Sequence, residues 1–213
     1  MRPRMLALGV AAVVLALAVP AWAANFTPTA TFALSTKLVN ANPTLTVGVK
    51  QDQGEEELAK VILAIPHGFK LPPDSAIDDG EKLGQGSITI ALAPACSTTE
   101  TVNVNIVERN RTQAEKNAGV YAVWVVDLHP VTTIDLKIKG NPTNGWKATG
   151  AIAPNDATCP PFQFHATINK TSSSSHVKLI RNPANAGTYT LKITFVGENG
   201  SKVTRSKAFS ITS

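Results

Sequence analysis

The chain has 213 residues, with 20 Lys plus Arg against 15 Asp plus Glu and a formal net charge of +5. At 43% apolar and 16% charged residues it can bury enough surface to offset chain entropy, so disorder is excluded. With 14 Gly, 14 Pro and 2 Cys, collagen-like and disulfide-dense classes are excluded as well.

Arg2 and Arg4 precede an unbroken apolar run, Met5 to Val19, which ends at Pro20 and is followed by Ala21-Trp22-Ala23. That is the pattern of a cleavable export signal over residues 1–23, with small residues where a signal peptidase reads. An apolar run of about 15 residues is short for a ~30 Å hydrocarbon layer, and no second long run follows, so no membrane span is expected after signal removal. Losing Arg2 and Arg4 takes the basic count from 20 to 18 against 15 acids, a formal +3. A charge of that size argues for neither nucleic-acid nor membrane-surface binding. The expected location is secreted or at the cell envelope.

Period-two alternation then dominates. Leu45, Val47 and Val49 predict a strand, as do Val61, Leu63 and Ile65 before the stop at Pro66-His67-Gly68. Glu55, Glu56 and Glu57 read as a charged hairpin tip, and Asp74 to Gly86 as a polar loop. Ile88, Ile90 and Leu92 form the next strand, followed by Val102, Val104 and Ile106. Thr112-Gln113-Ala114-Glu115 has the spacing of a capping box, with Gly119 as the stop, so one or two helical turns are expected there. Val120 to Val126 is apolar at successive positions and predicts a central strand covered on both faces. Ile134, Leu136 and Ile138 return to alternation, Phe162, Phe164, Ala166 and Ile168 repeat it, and Ser172–Ser175 reads as a flexible loop. Tyr189, Leu191, Ile193 and Phe195 share one face of a strand that turns at Gly197-Glu198-Asn199-Gly200 into a last strand carrying Phe209 and Ile211. About ten short strands separated by turn residues predict an all-β fold, an antiparallel β-sandwich, with residues 24–213 as a single enlarged domain. The 23 Thr against 12 Ser suit that reading.

Cys96 and Cys159 are the only cysteines. In an oxidising compartment an even pair predicts a disulfide, closing a loop of about 60 residues worth roughly 4 kcal/mol. No Cys-x-x-Cys supports a redox role, and a copper site at Cys159 and His165 would find no methionine beyond residue 23. His67, His129, His165 and His176 are isolated from one another, and no nucleophile elbow, zinc-helix motif or phosphate loop is present. Neither a catalytic residue nor a cofactor is therefore assigned. Asp74, Asp78, Asp79 and Glu81 offer carboxylates for calcium, but without EF-hand spacing they read as solvated turn acids. Beyond Ala157 the basic residues Lys170, Lys178, Arg181, Lys192, Lys202, Arg205 and Lys207 face one acid, Glu198. They are the candidate binding face for an anionic envelope polymer or polysaccharide.

Asn185-Ala186-Gly187-Thr188-Tyr189-Thr190-Leu191 resembles the approach to strand F of an immunoglobulin-like domain, with Tyr189 in the tyrosine-corner position and Leu191 where antibody domains carry a cysteine. Ala41-Asn42-Pro43 and Ile65-Pro66-His67-Gly68-Phe69 are similar to segments of exported bacterial β-sandwich proteins. The resemblance implies an immunoglobulin-like sandwich and no particular chemistry. The expected function is a non-catalytic structural, adhesive or binding role at the cell envelope. The alternative is a secreted enzyme, or an accessory module of one, whose site gathers the dispersed His and Asp residues.

Overall fold

The computed structural model describes residues 25–92, 98–128, 132–152 and 158–213. The expected leader, Cys96 and His129 lie outside these residues, and of Cys159 only the backbone is described, opposite Ala91. The expected disulfide therefore also lies outside them.

Eleven strands form: β1 (Thr29–Leu34), β2 (Leu45–Gln51), β3 (Leu58–Ile65), β4 (Lys82–Leu92), β5 (Thr98–Arg109), β6 (Ala122–Leu128), β7 (Thr132–Asn141), β8 (Gly145–Ala151), β9 (Thr158–Ile168), β10 (Gly187–Gly197) and β11 (Lys202–Ile211). The one α-helix among the described residues, α1 (Gln113–Asn117), lies between β5 and β6. All eleven strands join one sheet in the order β1-β2-β9-β4-β5-β6-β7-β8-β3-β10-β11. Every neighbouring pair is antiparallel. The fold is thus all-β and antiparallel as expected, but its layers belong to one nearly closed, barrel-like sheet. Closure is visible where the edges meet: Val39 N–H donates to Thr212 O at 2.8 Å, and Thr212 N–H to Lys37 O at 2.8 Å. Arg205 on β11 adds a bond from Nε to Pro28 O at 2.9 Å, beside β1. These bonds tie the ends of the two edge strands together and shorten the stretch left open for pairing with other chains.

Alternation places Leu191, Ile193 and Phe195 inside, each at most 2% exposed. Strand β6 is buried on both faces, as its unbroken apolar run predicts. Its outer residues Val123 and Val125 pack with Val120 and Val107. Across β5, β6 and β7 the register aligns Arg109, Val123 and Lys137, and Glu115 of α1 accepts from Arg109 at 2.8 Å and pairs with Lys137 at 3.1 Å above that row. The capping box of α1 forms as its sequence predicts: Thr112 Oγ1 accepts from Glu115 N–H at 3.2 Å, and Glu115 Oε2 accepts from Thr112 N–H at 2.9 Å. Gly119 ends the helix at φ +70°, a conformation costly for residues with a Cβ. The predicted tyrosine corner also closes, Tyr189 Oη donating to Asn185 O at 3.0 Å.

The segment 66–81 connects β3 to β4, which are not neighbours, and so crosses one end of the barrel. Phe69, Leu71 and Ile77 insert into the core. Trp146 Nε1 holds Phe69 O at 2.8 Å, and Tyr121 Oη holds Leu71 O at 3.2 Å. The predicted polar loop is shorter than expected, because Lys82 to Gly86 already belong to β4. A Cβ on Gly86 would lie 2.0 Å from His165 O, so the bare glycine lets β9 approach β4.

Candidate binding surface

Register and alternation decide which side chains share the outside of the barrel. Lys139 pairs with Lys147, Lys147 with Ala64, and Ala64 with Lys192, making one row across β7, β8, β3 and β10. At about 4.8 Å per strand, the row spans roughly 14 Å. Lys60, Val196 and Lys202 form a second row, four residues further along β3 and β10. Lys137, Thr149, Ile62, Thr194 and Thr204 lie between the two. All six lysines are exposed.

Lys137 is engaged by Glu115, and Lys139 Nζ donates to Ala118 O at 2.7 Å. Lys60, Lys147, Lys192 and Lys202 take part in none of the ion pairs formed among the described residues. Asp135 is the one acid at the outward positions of these five strands, and it is bound to Arg109 at 2.9 Å. Lys139 opposite Lys147 is a like-charge cross-strand pair, which costs stability unless something anionic lies over it. The other side of the barrel differs. Rows such as Gly48, His165, Ser87 and Asn103, or Thr46, Thr167, Gln85 and Asn105, carry no lysine or arginine, and the second runs on to Asp127 of β6. Lys50 there is neutralised by Asp52 at 2.7 Å. The outward lysines of the sheet are thus concentrated on one side.

The seven cations picked out by sequence do not share one surface. Lys192 and Lys202 belong to the outer rows. Arg205 and Lys207 pair with the buried Ile193 and Leu191, and so lie on the inward side of the edge strand. Lys170, Lys178 and Arg181 lie in the connection from β9 to β10, where Arg181 pairs with Lys70 and its Nε donates to Asn40 O at 3.2 Å. Their nearness in sequence hid the two-residue alternation that separates them. The partners of Lys192 and Lys202 on β3, β7 and β8 come from distant sequence and were invisible to a local count.

Of the acids read as solvated, Asp78 and Asp79 are exposed as expected, whereas Asp74, Glu81 and Glu56 are structural anchors. Asp74 is 4% exposed, and its carboxylate takes Arg111 Nε at 2.5 Å and Nη2 at 2.7 Å. Burial alone would raise its pKa, but the Arg111 guanidinium more than reverses this and holds it below the ordinary value. Glu81 accepts from Ser174 N–H at 2.6 Å and from Ser175 N–H and Oγ at 2.7 Å. Against the upward push of burial, these bonds bring it down to about 2. The serine run is therefore a clasp on Glu81. Glu56, expected at an exposed tip, is 5% exposed and accepts from Asn199 N–H in the β10–β11 turn. Strands β2 and β3 are not neighbours, so the segment 52–57 is a crossing and not a hairpin.

Glu108 is the remaining buried carboxyl, 1% exposed, on the inward side of β5 opposite Trp124. Neither of its oxygens closes a hydrogen bond of full geometry, nor does Trp124 Nε1, although Trp124 and the Val123 backbone lie near enough to offset part of the burial effect. Burial, reinforced by the Asp74 carboxylate, pushes its pKa up to about 8. No group of three or more His, Cys, Asp or Glu side chains among the described residues is placed to hold a metal. His67 packs at a tilt against Tyr189, His165 lies on the outside of β9, and His176 follows the serine clasp; all three are exposed and on different elements. Comparison with known protein families and with curated proteins finds no match.

Proposed function

We propose that this chain is a non-catalytic binding protein of the cell envelope that holds an anionic polysaccharide against the lysine-bearing side of its barrel. The observation that carries this reading is the pair of lysine rows, Lys139–Lys147–Lys192 and Lys60–Lys202, on five adjacent strands whose one outward acid is already engaged. Rigid strands hold the ammonium groups at fixed spacing, so an extended polyanion meets them without ordering a loop. The far side, poor in unpaired lysines, gives the molecule a preferred orientation toward an anionic layer.

The test is binding of the full chain to immobilised alginate, with neutral dextran as the control. Raising NaCl from 50 to 300 mM shortens the screening length from roughly 14 to 6 Å and should release the protein. The double variant K147T/K192T should bind about tenfold more weakly, while K50T on the far side should bind like the parent. Salt-independent retention, equal binding to dextran, or preference for phosphatidylglycerol vesicles over alginate would each defeat the proposal.

A further inference from the structure

The barrel interior contains an apolar cavity of about 130 Å³. Its walls come from strands all round the sheet, including Val61, Ile134, Leu136 and Phe164, with Trp124 and Trp146 toward the crossing segment. Every lining residue is aliphatic, aromatic or glycine. Two further facts mark this as space that the described residues leave unfilled and not a seam between well-packed side chains. The inward-facing Val61, Leu63, Ile134, Leu136 and Phe164 are only partly buried. The core also divides into a large cluster that includes Trp124 and Trp146 and a smaller one of Ile88, Ile90, Val104, Val126 and Leu128. Protein interiors contain few voids larger than a water molecule, and apolar voids of this size stay dry.

We infer that the cavity is a binding site for an uncharged hydrocarbon group of about six carbons, such as the end of an alkyl chain. Size sets the carbon number: an apolar cavity of about 150 Å³ accommodates benzene, and this one, open on one side, has about 130 Å³. The walls set the chemistry, because a charged or hydrogen-bonding group would find no partner there, so an alcohol enters by its alkyl end with its hydroxyl at the opening. Recognition is by fit and desolvation alone. The site is separate from the lysine rows, which point to the other side of the same strands.

Trp124 and Trp146 are two of the three tryptophans in the chain and both line the cavity, so occupancy reports in their emission. The full chain is titrated with 1-butanol, 1-hexanol and 1-octanol, following tryptophan emission and heat. Affinity should rise about fourfold per methylene as far as hexanol and then level off. V61F, which projects a ring into the space, should weaken hexanol binding at least tenfold, whereas K192T should leave it unchanged and so separate this site from the polysaccharide reading. Xenon added to the methyl-labelled parent keeps the test independent of how V61F folds, and should shift the methyl signals of Val61, Ile134 and Leu136. Absence of saturable binding, affinity that keeps climbing beyond hexanol, or xenon shifts confined to surface methyls would overturn the inference.

Discussion

Replacing Glu108 by glutamine should change how stability responds to pH. Its carboxyl is 1% exposed, without a hydrogen bond of full geometry, and held at about 8 where an unfolded chain would give about 4.5. The folded pKa is raised, so the folded state keeps a proton that the unfolded state releases. Stability is unaffected below about pH 4.5, falls as pH rises from there, and levels off above 8. At 1.36 kcal/mol per pKa unit, the loss across that window is about 5 kcal/mol, a large part of the 5–15 kcal/mol typical of a folded domain. Glutamine has nearly the same shape and cannot ionise. E108Q and the parent should therefore agree within about 1 kcal/mol at pH 5. At pH 9 the variant should be the more stable, by up to about 5 kcal/mol or roughly 10–20 °C in Tm for a chain of this size. Urea unfolding of both proteins between pH 4 and 9.5 makes the comparison. Parallel pH profiles, or a variant weaker than the parent at pH 9, would refute the assignment of Glu108 as a buried neutral acid.

Two more outcomes follow from the same end of the barrel. R111M leaves Asp74 buried without its bidentate partner and strips Val120 O of the bond from Arg111 Nη1 at 2.6 Å, so urea unfolding at pH 7 should show a loss of about 3–5 kcal/mol. Glu81 is held at about 2, below its unfolded value; its contribution is complete above about pH 4.5 and should fade as pH falls toward 2, while E81Q should lose about 2–3 kcal/mol at pH 7 and flatten the acid limb of a Tm-against-pH curve.

These effects place the titrating groups around the crossing segment and not along the lysine rows. The segment 66–81 carries apolar residues into the core and is fixed at its polar end by Arg111 and the serine clasp. A connection fastened at both ends in this way gives the barrel a closed end, against which the tryptophan-lined part of the cavity rests.

The sequence by itself determined what local chemistry can specify. Alternation of apolar and polar residues placed most strands, the unbroken run at Val120–Val126 marked β6 as doubly covered, and Thr112, Glu115 and Gly119 bounded α1, because caps and pleats act over a few residues. Strand β1 escaped that reading, since only Phe32 and Leu34 of Thr29–Leu34 are large apolar side chains. Tertiary structure alone decided which strands are neighbours, and with them everything that crosses between strands. A one-residue change of register exchanges the two sides of a strand. Lys147 meets Lys139 and Ala64, and Arg205 turns toward Pro28, only once that register is set. The same holds for the burial of Asp74, Glu81 and Glu108. Polar letters in a loop read as solvated until a segment from elsewhere in the chain closes over them, and their partners lie 37 and 93 residues away for Asp74 and Glu81. The cavity is further still from any local pattern, being the space that many separate strands leave unfilled.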